Sequence, residues 1–235
     1  MTAEFRHFPV GISVEQLAMS WARTEAGLTG SAVMIDHEIG GRQRLGIPWK
    51  TPSAQGLSCA VIIHPAFPAD AEDVLWVVGL AAAARAASVA QVRAGWPDLL
   101  FGRDGTQVGA VGLGVHVDRG TIPRAVVSLR LDLGSLGSAF EDRRAIAERF
   151  VTEVVRCTTL AKDMCADLLE EYAGVSSLIG NRVKATLLPK GDTRGKATAV
   201  DPIGRLVLES PTGMLERLSP MNVLRVDVAR PDSAA

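Results

Sequence analysis

The chain has 235 residues, of which 47% are apolar, and its 25 basic and 26 acidic side chains leave a net charge of −1. This composition excludes collagen, a coiled coil and wholesale disorder, and the length allows one or two domains with a sizeable core. A nearly neutral chain without an apolar run of roughly 18 residues is expected to bind neither nucleic acid nor membrane. Three widely spaced cysteines indicate reduced thiols and a cytoplasmic location.

The first half of the chain predicts buried strands and two helices. Ser13 and Gln16 have the spacing of a capping box, which predicts a helix that ends near Gly27. Asp70 is the predicted N-cap of a second helix, which is apolar on nearly all sides and therefore packs inside the molecule. This second helix is expected to reach about residue 90, and buried strands are expected over residues 32–35, 57–63 and 91–94.

The middle of the chain predicts a hairpin followed by long helical sequence. Asp104 and Gly105 are a turn signal between strands over residues 99–101 and 106–117, and a further strand covers residues 125–133. Ser138 and Glu141 form a second capping box. The helical sequence that they open extends to about residue 172, with a break expected near residues 157–159.

The C-terminal part predicts a small β-barrel. Five short β-rich runs follow one another at about ten-residue spacing, over residues 182–188, 193–200, 205–209, 214–218 and 223–228. Residues 177–228 carry eight basic and five acidic side chains, which indicates a solvated face or, alternatively, a docking surface for an acidic carrier domain. We place the boundary near residues 174–177, with domains over residues 1–175 and 176–230.

A glycine-rich segment over residues 40–49 is the strongest candidate for a functional loop. Its glycines allow the backbone to approach a ligand, and two arginines, Arg42 and Arg44, have the chemistry to clamp a phosphate or carboxylate. Trp49 could close the loop over a flat ligand. The alternative is an exposed turn with solvated arginines.

The same loop resembles a known ligand loop. Gly41, Arg42, Arg44, Gly46 and Trp49 match, without a gap, the Gly-Arg-Gly-Arg-x-Gly-Arg-x-Trp of the biotin protein ligase family. Residues 95–98 resemble the family's Lys-Trp-Pro-Asn, and residues 104–111 resemble its Gly-x-Lys-Val-Gly-Gly-Ile-Leu hairpin. Residues 177–183 are similar to the Leu-Leu-Gly-Arg-x-Val that enters its C-terminal barrel. The ordered likeness spans most of residues 31–228.

The resemblance implies an α+β fold, in which a biotin ligase and class II synthetase-like catalytic domain with a mixed β-sheet and packed helices precedes a small SH3-like barrel. In this family, ATP activates the carboxylate of biotin, and a lysine of a carrier domain then takes the acyl group. The implied ligands are therefore ATP, with Mg²⁺, and biotin or a lipoate-like acid, and no structural metal is expected. The implied partner is a biotinyl or lipoyl carrier domain, and a homodimer stays open. Only about 30 residues precede the first matched strand, so we expect no DNA-binding domain.

The resemblance also assigns roles to individual residues. Arg42 and Arg44 would hold the phosphate of the adenylate, and Trp49 would cap it. Arg93 lies two residues before Gly95, on the same face of the predicted strand, and from there would stand in for a missing lysine. The catalytic candidates are Arg44 and Arg93. The ligand-binding candidates are Glu38, Gly41, Arg42, Arg44, Trp49, Gly95, Trp96, Gln107 and Gly109.

The departures from the family pattern fall on its chemistry. The lysine before Trp-Pro is Gly95, the hairpin lysine is Gln107, and the glutamine that contacts biotin is Glu38. The family's Gly-x-Gly-x-Asn strand aligns with residues 128–132, with Ser128 and Arg130 in place of the glycines. Because losing one donor that stabilises developing charge typically costs on the order of 10²–10³ in rate, the activity is in doubt.

Three hypotheses about function follow. The first is a divergent ATP-dependent biotin or lipoate ligase. The second is a catalytically inactive module of the same fold that binds a ligand or a protein. The third is an acyltransferase that uses Cys59 as its nucleophile, although the strand predicted around this residue would bury the thiol. The four histidines do not have the spacing of metal ligands.

Overall fold

The computed structural model describes residues 2–24, 27–49, 55–136, 143–163 and 165–229. Within these residues the chain forms two β-sheets and four α-helices. The helices are α1 (Val14–Thr24), α2 (Val74–Ala86), α3 (Arg143–Asp163) and α4 (Cys165–Val175). The larger sheet contains β1 (Phe5–Gly11), β2 (Ala32–Glu38), β3 (Gly56–Ile63), β4 (Phe67–Pro68), β5 (Arg93–Gly95), β6 (Leu99–Phe101), β7 (Gln107–Asp118) and β8 (Thr121–Asp132). The smaller sheet contains β9 (Arg182–Leu187), β10 (Asp192–Val200), β11 (Leu206–Glu209), β12 (Leu215–Leu218) and β13 (Val223–Val228).

The larger sheet is mixed and separates two layers of helices. Its order is β1-β2-β3-β8-β7-β6-β5, with β4 paired to β8. Strands β1 and β2 are parallel, whereas the other paired strands among the described residues are antiparallel. Because side chains alternate along a strand, β8 turns Val126 into the cluster packed on α1 and Leu129 into the core around α2 and α3. The same alternation places Ser128 and Arg130 on the α1 face.

Helix α1 begins as the capping box predicts. The backbone N–H of Gln16 donates to the Ser13 hydroxyl at 3.4 Å. The apolar side of the helix, which includes Ala18 and Trp21, packs on the sheet. The helix ends at Thr24, slightly before the expected end near Gly27.

Helix α2 is buried on nearly all sides, as predicted, but its predicted start at Asp70 is wrong. Asp70 lies in a separate 3-10 turn over Ala69–Ala71, in which the N–H of Glu72 donates to the carbonyl of Ala69. The helix has Asp73 at its N-cap and ends at Ala86 rather than near residue 90. It packs against α3, α4 and the sheet, so it forms the centre of the main core.

Helix α3 continues through residues 157–159, so the expected break there is wrong. The hydroxyl groups of Thr158 and Thr159 donate to carbonyls one turn earlier, at 2.7 and 3.1 Å, and the helix therefore accommodates both residues. The capping box of Ser138 and Glu141 lies outside the described residues. None of the helices among the described residues is long and apolar enough to cross a membrane.

The predicted hairpin around Asp104 and Gly105 and the five predicted C-terminal strands are both present. The Asp104–Gly105 turn joins β6 to β7, and Gly105 adopts a φ of 81° that suits glycine. The smaller sheet has the order β12-β11-β10-β9-β13 and is antiparallel throughout its described strands. Its inner face joins the main core, and the Trp96 ring N–H donates to the carbonyl of Gly204 at 3.0 Å. The α+β class with a mixed sheet and a small C-terminal β-structure is thus confirmed.

Candidate functional site

The glycine-rich loop folds back on itself beside the end of β2. The N–H of Trp49 donates to the carbonyl of Gly41 at 2.9 Å, and Arg42 pairs with Pro48 in an isolated bridge. A 3-10 turn over Arg44–Gly46 forms the tip, where Leu45 has a φ of 61°. The loop is therefore held together by hydrogen bonds between its own two arms.

Arg44, a predicted catalytic residue, is turned into the seam between the two sheets. Its Nε donates to Asp98 Oδ1 at 3.0 Å, and each side chain of this pair is only 6% exposed. Its Nη1 donates to the carbonyls of Pro220 and Val223 at 2.9 and 2.7 Å, and its Nη2 donates to that of Leu224 at 3.0 Å. Four of the five N–H groups of a guanidinium are thus used within the chain.

The second loop arginine, Arg42, stays at the surface. It is exposed, and its Nη1 donates to the carbonyl of Gly46 at 2.8 Å within the same loop. Its remaining donors have no hydrogen-bond partner among the described residues. Beside it, the side chains of Leu45 and Ile47 are also exposed.

A buried ion pair lies beneath the loop. Arg130 on β8 is fully buried and binds Glu38 with two hydrogen bonds, Nε to Oε2 at 2.7 Å and Nη2 to Oε1 at 2.8 Å. Glu38 also accepts the N–H of Val14 at the start of α1, at 2.9 Å, and the hydroxyl of Ser58, at 2.8 Å. The Glu38 side chain is only 3% exposed, and its carboxylate accepts all four of these hydrogen bonds.

A second carboxylate completes this cluster. Glu15 on α1 accepts a hydrogen bond from Arg130 at 3.0 Å and a short one from the hydroxyl of Ser128. Burial by itself would lower the pKa of Arg130, but hydrogen bonds and charges from Glu38 and Glu15 raise it above its ordinary value. Arg130 is therefore a permanent cation between two carboxylates, and the three ionised groups together carry −1.

Gly41 packs directly on this cluster, as its missing side chain allows. A Cβ at this position would lie 2.7 Å from Glu38 Oε2 and 3.2 Å from Arg130 Nε. Gly109, another predicted ligand-binding residue, is a packing glycine, because a Cβ there would lie 2.6 Å from the carbonyl oxygen of Arg130. The charged cluster thus forms the floor under the loop.

The two positions where the family has lysines carry no cation. Phe101 covers Gly95, since a Cβ there would lie 2.3 Å from the Phe101 ring. Gln107 is exposed, and its side-chain amide donates to the side-chain oxygen of Gln43 at 3.0 Å. Arg93, the predicted stand-in, donates to the carbonyl of Ser176 instead.

The two tryptophans of the predicted site differ in their surroundings. Trp96 is buried, and its ring N–H donates to the carbonyl of Gly204 in the seam between the two sheets. Trp49 is half-buried at the end of the loop. The structure thus packs Gly41 against Glu38, leaves Arg42 at the surface of the loop and places Trp96 in the seam.

The remaining nucleophile and metal candidates find no support in the geometry. Cys59 is completely buried in β3, and this burial raises the pKa of its thiol to about 12. At neutral pH it is a thiol and not the thiolate that acyl transfer needs. Among the residues that the structure describes, no group of three histidine, cysteine or acidic side chains could hold a metal ion.

Comparisons with known proteins agree with this architecture. Residues 178–225 match the family model of the biotin protein ligase C terminal domain. The biotin–[acetyl-CoA-carboxylase] ligase of Mycobacterium tuberculosis is 27% identical over 203 residues, which cover 80% of this chain and 76% of that ligase.

Solved structures extend the likeness to nearly the whole chain. The biotin protein ligase of Aquifex aeolicus in complex with biotin and ATP superposes with a TM-score of 0.72, at 14% identity over 97% of this chain and 100% of that one. A biotin protein ligase-like protein of unknown function from Silicibacter superposes with a TM-score of 0.70, at 15% identity over 92% of this chain and 94% of that one. The chain therefore has the fold of the biotin protein ligases, and its C-terminal segment is similar to the C-terminal domain of that family.

Proposed function

We propose that the chain is a binding module of the biotin protein ligase fold that does not adenylate biotin. The observation that carries this proposal is the position of Arg44. Its guanidinium is committed to Asp98, to the carbonyl of Pro220 just before β13 and to the carbonyls of two residues of β13. A cation held in this way has one N–H left for a phosphate.

The lysine positions support the same proposal. Adenylation needs cationic donors that face the charge developing on the α-phosphate. Gly95 and Gln107 supply none, and the loss of two such donors would lower the rate by about 10⁴–10⁶ if each costs on the order of 10²–10³. Such an enzyme would have little turnover even if both substrates were bound.

The floor of the site also favours a ligand other than biotin. An anionic carboxylate that approached the cluster of Glu15, Glu38 and Arg130 would meet a net charge of −1. The charged groups beneath Gly41 already satisfy one another, so a neutral ligand would find few free donors there. We therefore expect binding through the outer surface of the loop, where Arg42 is flanked by exposed apolar side chains.

Domain boundaries, cellular location and partners belong to the same proposal. We propose that residues 1–175 and 176–230 are its two domains and that it works in the cytoplasm, where its three free cysteines stay reduced. An acidic carrier domain or a related acidic partner suits a loop whose exposed charge is Arg42. A homodimer stays a prediction.

One observation favours the alternative of an active ligase. Arg42 keeps free donors on an exposed loop, and Arg93 is also exposed. In this alternative, Arg42 would hold the phosphate and the acid substrate would be lipoate or a related acyl group.

Isotope exchange between ATP and pyrophosphate, in the presence of biotin or lipoate, separates the two. The proposal predicts no exchange above the rate without protein for either acid. The Gln107→Lys variant restores a cation at the exposed position where the family has a lysine. It is the matched control that shows whether a cation at this position is enough to restore the exchange reaction. Exchange by the wild-type chain with either acid would overturn the proposal.

A further inference from the structure

A cavity of about 840 Å³ lies beside β5, the last strand of the larger sheet. The end of α2, the β6–β7 hairpin, α3 and the end of α4 all contribute to its wall. Its charged lining residues are Arg85, Arg93, Arg103 and Glu153. The volume falls in the range of small-molecule sites, and the charge of the lining is positive.

Two of the three arginines have no carboxylate partner among the described residues. Arg85 is already paired, with Glu153 at 3.0 Å and Glu171 at 3.5 Å. Arg93 is exposed and gives one N–H to the carbonyl of Ser176. Arg103 is exposed and has no hydrogen-bond or ion-pair partner among the described residues. These two guanidinium groups come from different elements and line one cavity.

The remainder of the lining is partly apolar. Ala84, Val92 and Val175 line the cavity, and the first two are almost completely buried. A cavity with cationic side chains beside apolar ones suits a ligand that combines an anionic group with an apolar part. The α1 face, with the glycine-rich loop, contributes none of its lining residues.

We propose that this cavity is a binding site for a small organic phosphate. Arg93 and Arg103 bind the phosphate oxygens, and the apolar lining contacts the organic group. A phosphate fits two guanidinium groups better than a carboxylate does, because it offers more acceptor oxygens and up to two negative charges. Arg93, the predicted stand-in for the missing lysine, binds phosphate in this cavity instead.

Calorimetric titration of the full chain with phenyl phosphate and with inorganic phosphate tests the site. Phenyl phosphate is expected to bind more tightly than inorganic phosphate, because the apolar lining contacts the ring. Arg103→Ala should weaken phenyl phosphate about tenfold, which corresponds to about 1.4 kcal/mol. Arg119→Ala removes an exposed arginine from the β7–β8 turn and is the matched control, expected to bind as the wild type does. Circular dichroism of each variant verifies that the fold is intact.

Three results would overturn the proposal. The first is no binding of phenyl phosphate at millimolar concentration. The second is equal weakening by Arg103→Ala and Arg119→Ala, which would indicate a general charge effect. The third is loss of binding in Arg42→Ala with no change in Arg103→Ala, which would place the anion on the glycine-rich loop.

Discussion

The guanidinium of Arg44 joins three parts of the molecule, and its removal should weaken the whole chain. It links the glycine-rich loop to Asp98 and to the backbone at the start of β13, through the carbonyls of Pro220, Val223 and Leu224. The substitution Arg44→Met keeps a side chain of similar length and removes every donor. Its effect therefore measures what the polar contacts contribute.

The expected loss follows from what the substitution leaves behind. Asp98, only 6% exposed, loses its cation, and three carbonyl oxygens lose a donor. Removing one partner of a buried ion pair costs about 3–5 kcal/mol, and we expect a loss in that range. The double variant Arg44→Met/Asp98→Asn should be more stable than Arg44→Met, because it leaves no buried charge unpaired.

The loss should also depend on pH. Burial raises the pKa of Asp98 above its ordinary value of 3.8, and the charge and hydrogen bond of Arg44 oppose that rise. Without Arg44 the folded-state pKa rises further above the unfolded one. The protonated carboxyl then favours folding at low pH, and that contribution is lost as the pH rises through the folded-state pKa. The deficit relative to the wild type should therefore grow as the pH rises through the wild-type folded-state pKa of Asp98, which lies above 3.8.

Urea unfolding, followed by tryptophan fluorescence at several pH values, measures these free energies. Trp96 lies in the same seam and is a natural probe. A loss below about 1 kcal/mol for Arg44→Met, or the same loss for the single and double variants, would refute the role assigned to this ion pair.

Two further predictions concern ionisable groups elsewhere in the chain. Burial raises the pKa values of Cys59 and Cys157 to about 12. Both thiols should therefore resist a thiol reagent at about pH 8 until urea unfolds the chain, while half-buried Cys165 reacts slowly. Rapid labelling of Cys59 in the folded protein would contradict its burial. Hydrogen bonds from Arg156 lower the pKa of Glu171 below 4.5, so this pair stabilises the fold above that pH and loses its contribution as the pH falls through the lowered value. Glu171→Gln should flatten this acid arm in thermal unfolding between about pH 3 and 6, and an unchanged acid arm would contradict the pairing.

The buried strands were predictable because a continuous apolar run indicates a strand that is covered on both faces. The edge strand β1 has no such run and was not predicted. The residues of β3 form one apolar run and lie between two neighbouring strands. Strand β1 contains Pro9, is mostly exposed and is held by parallel pairing to β2, some 27 residues away in register. Neither alternation nor a continuous apolar run marks such a strand.

The sequence predicted where the candidate site lies but not which hydrogen bonds and ion pairs its charged side chains form. Glycines and arginines mark the loop, yet the partners of Arg44 lie 54 to 180 residues away along the chain. Arg130 stood in the aligned strand, but its two carboxylates come from α1 and from the end of β2. The signal for them was a set of charged residues of opposite sign at the borders of apolar runs, which becomes specific only once the sheet brings them together.

Charged groups that are already paired within the chain occupy the floor beneath the glycine-rich loop. Calorimetric titration with biotin tests it directly, on the wild type and on the Glu38→Gln/Arg130→Gly variant, which returns both positions to the family's residues. We expect no measurable binding of biotin to the wild type at millimolar concentration and a gain of binding in the folded variant. Micromolar binding of biotin to the wild type would contradict it.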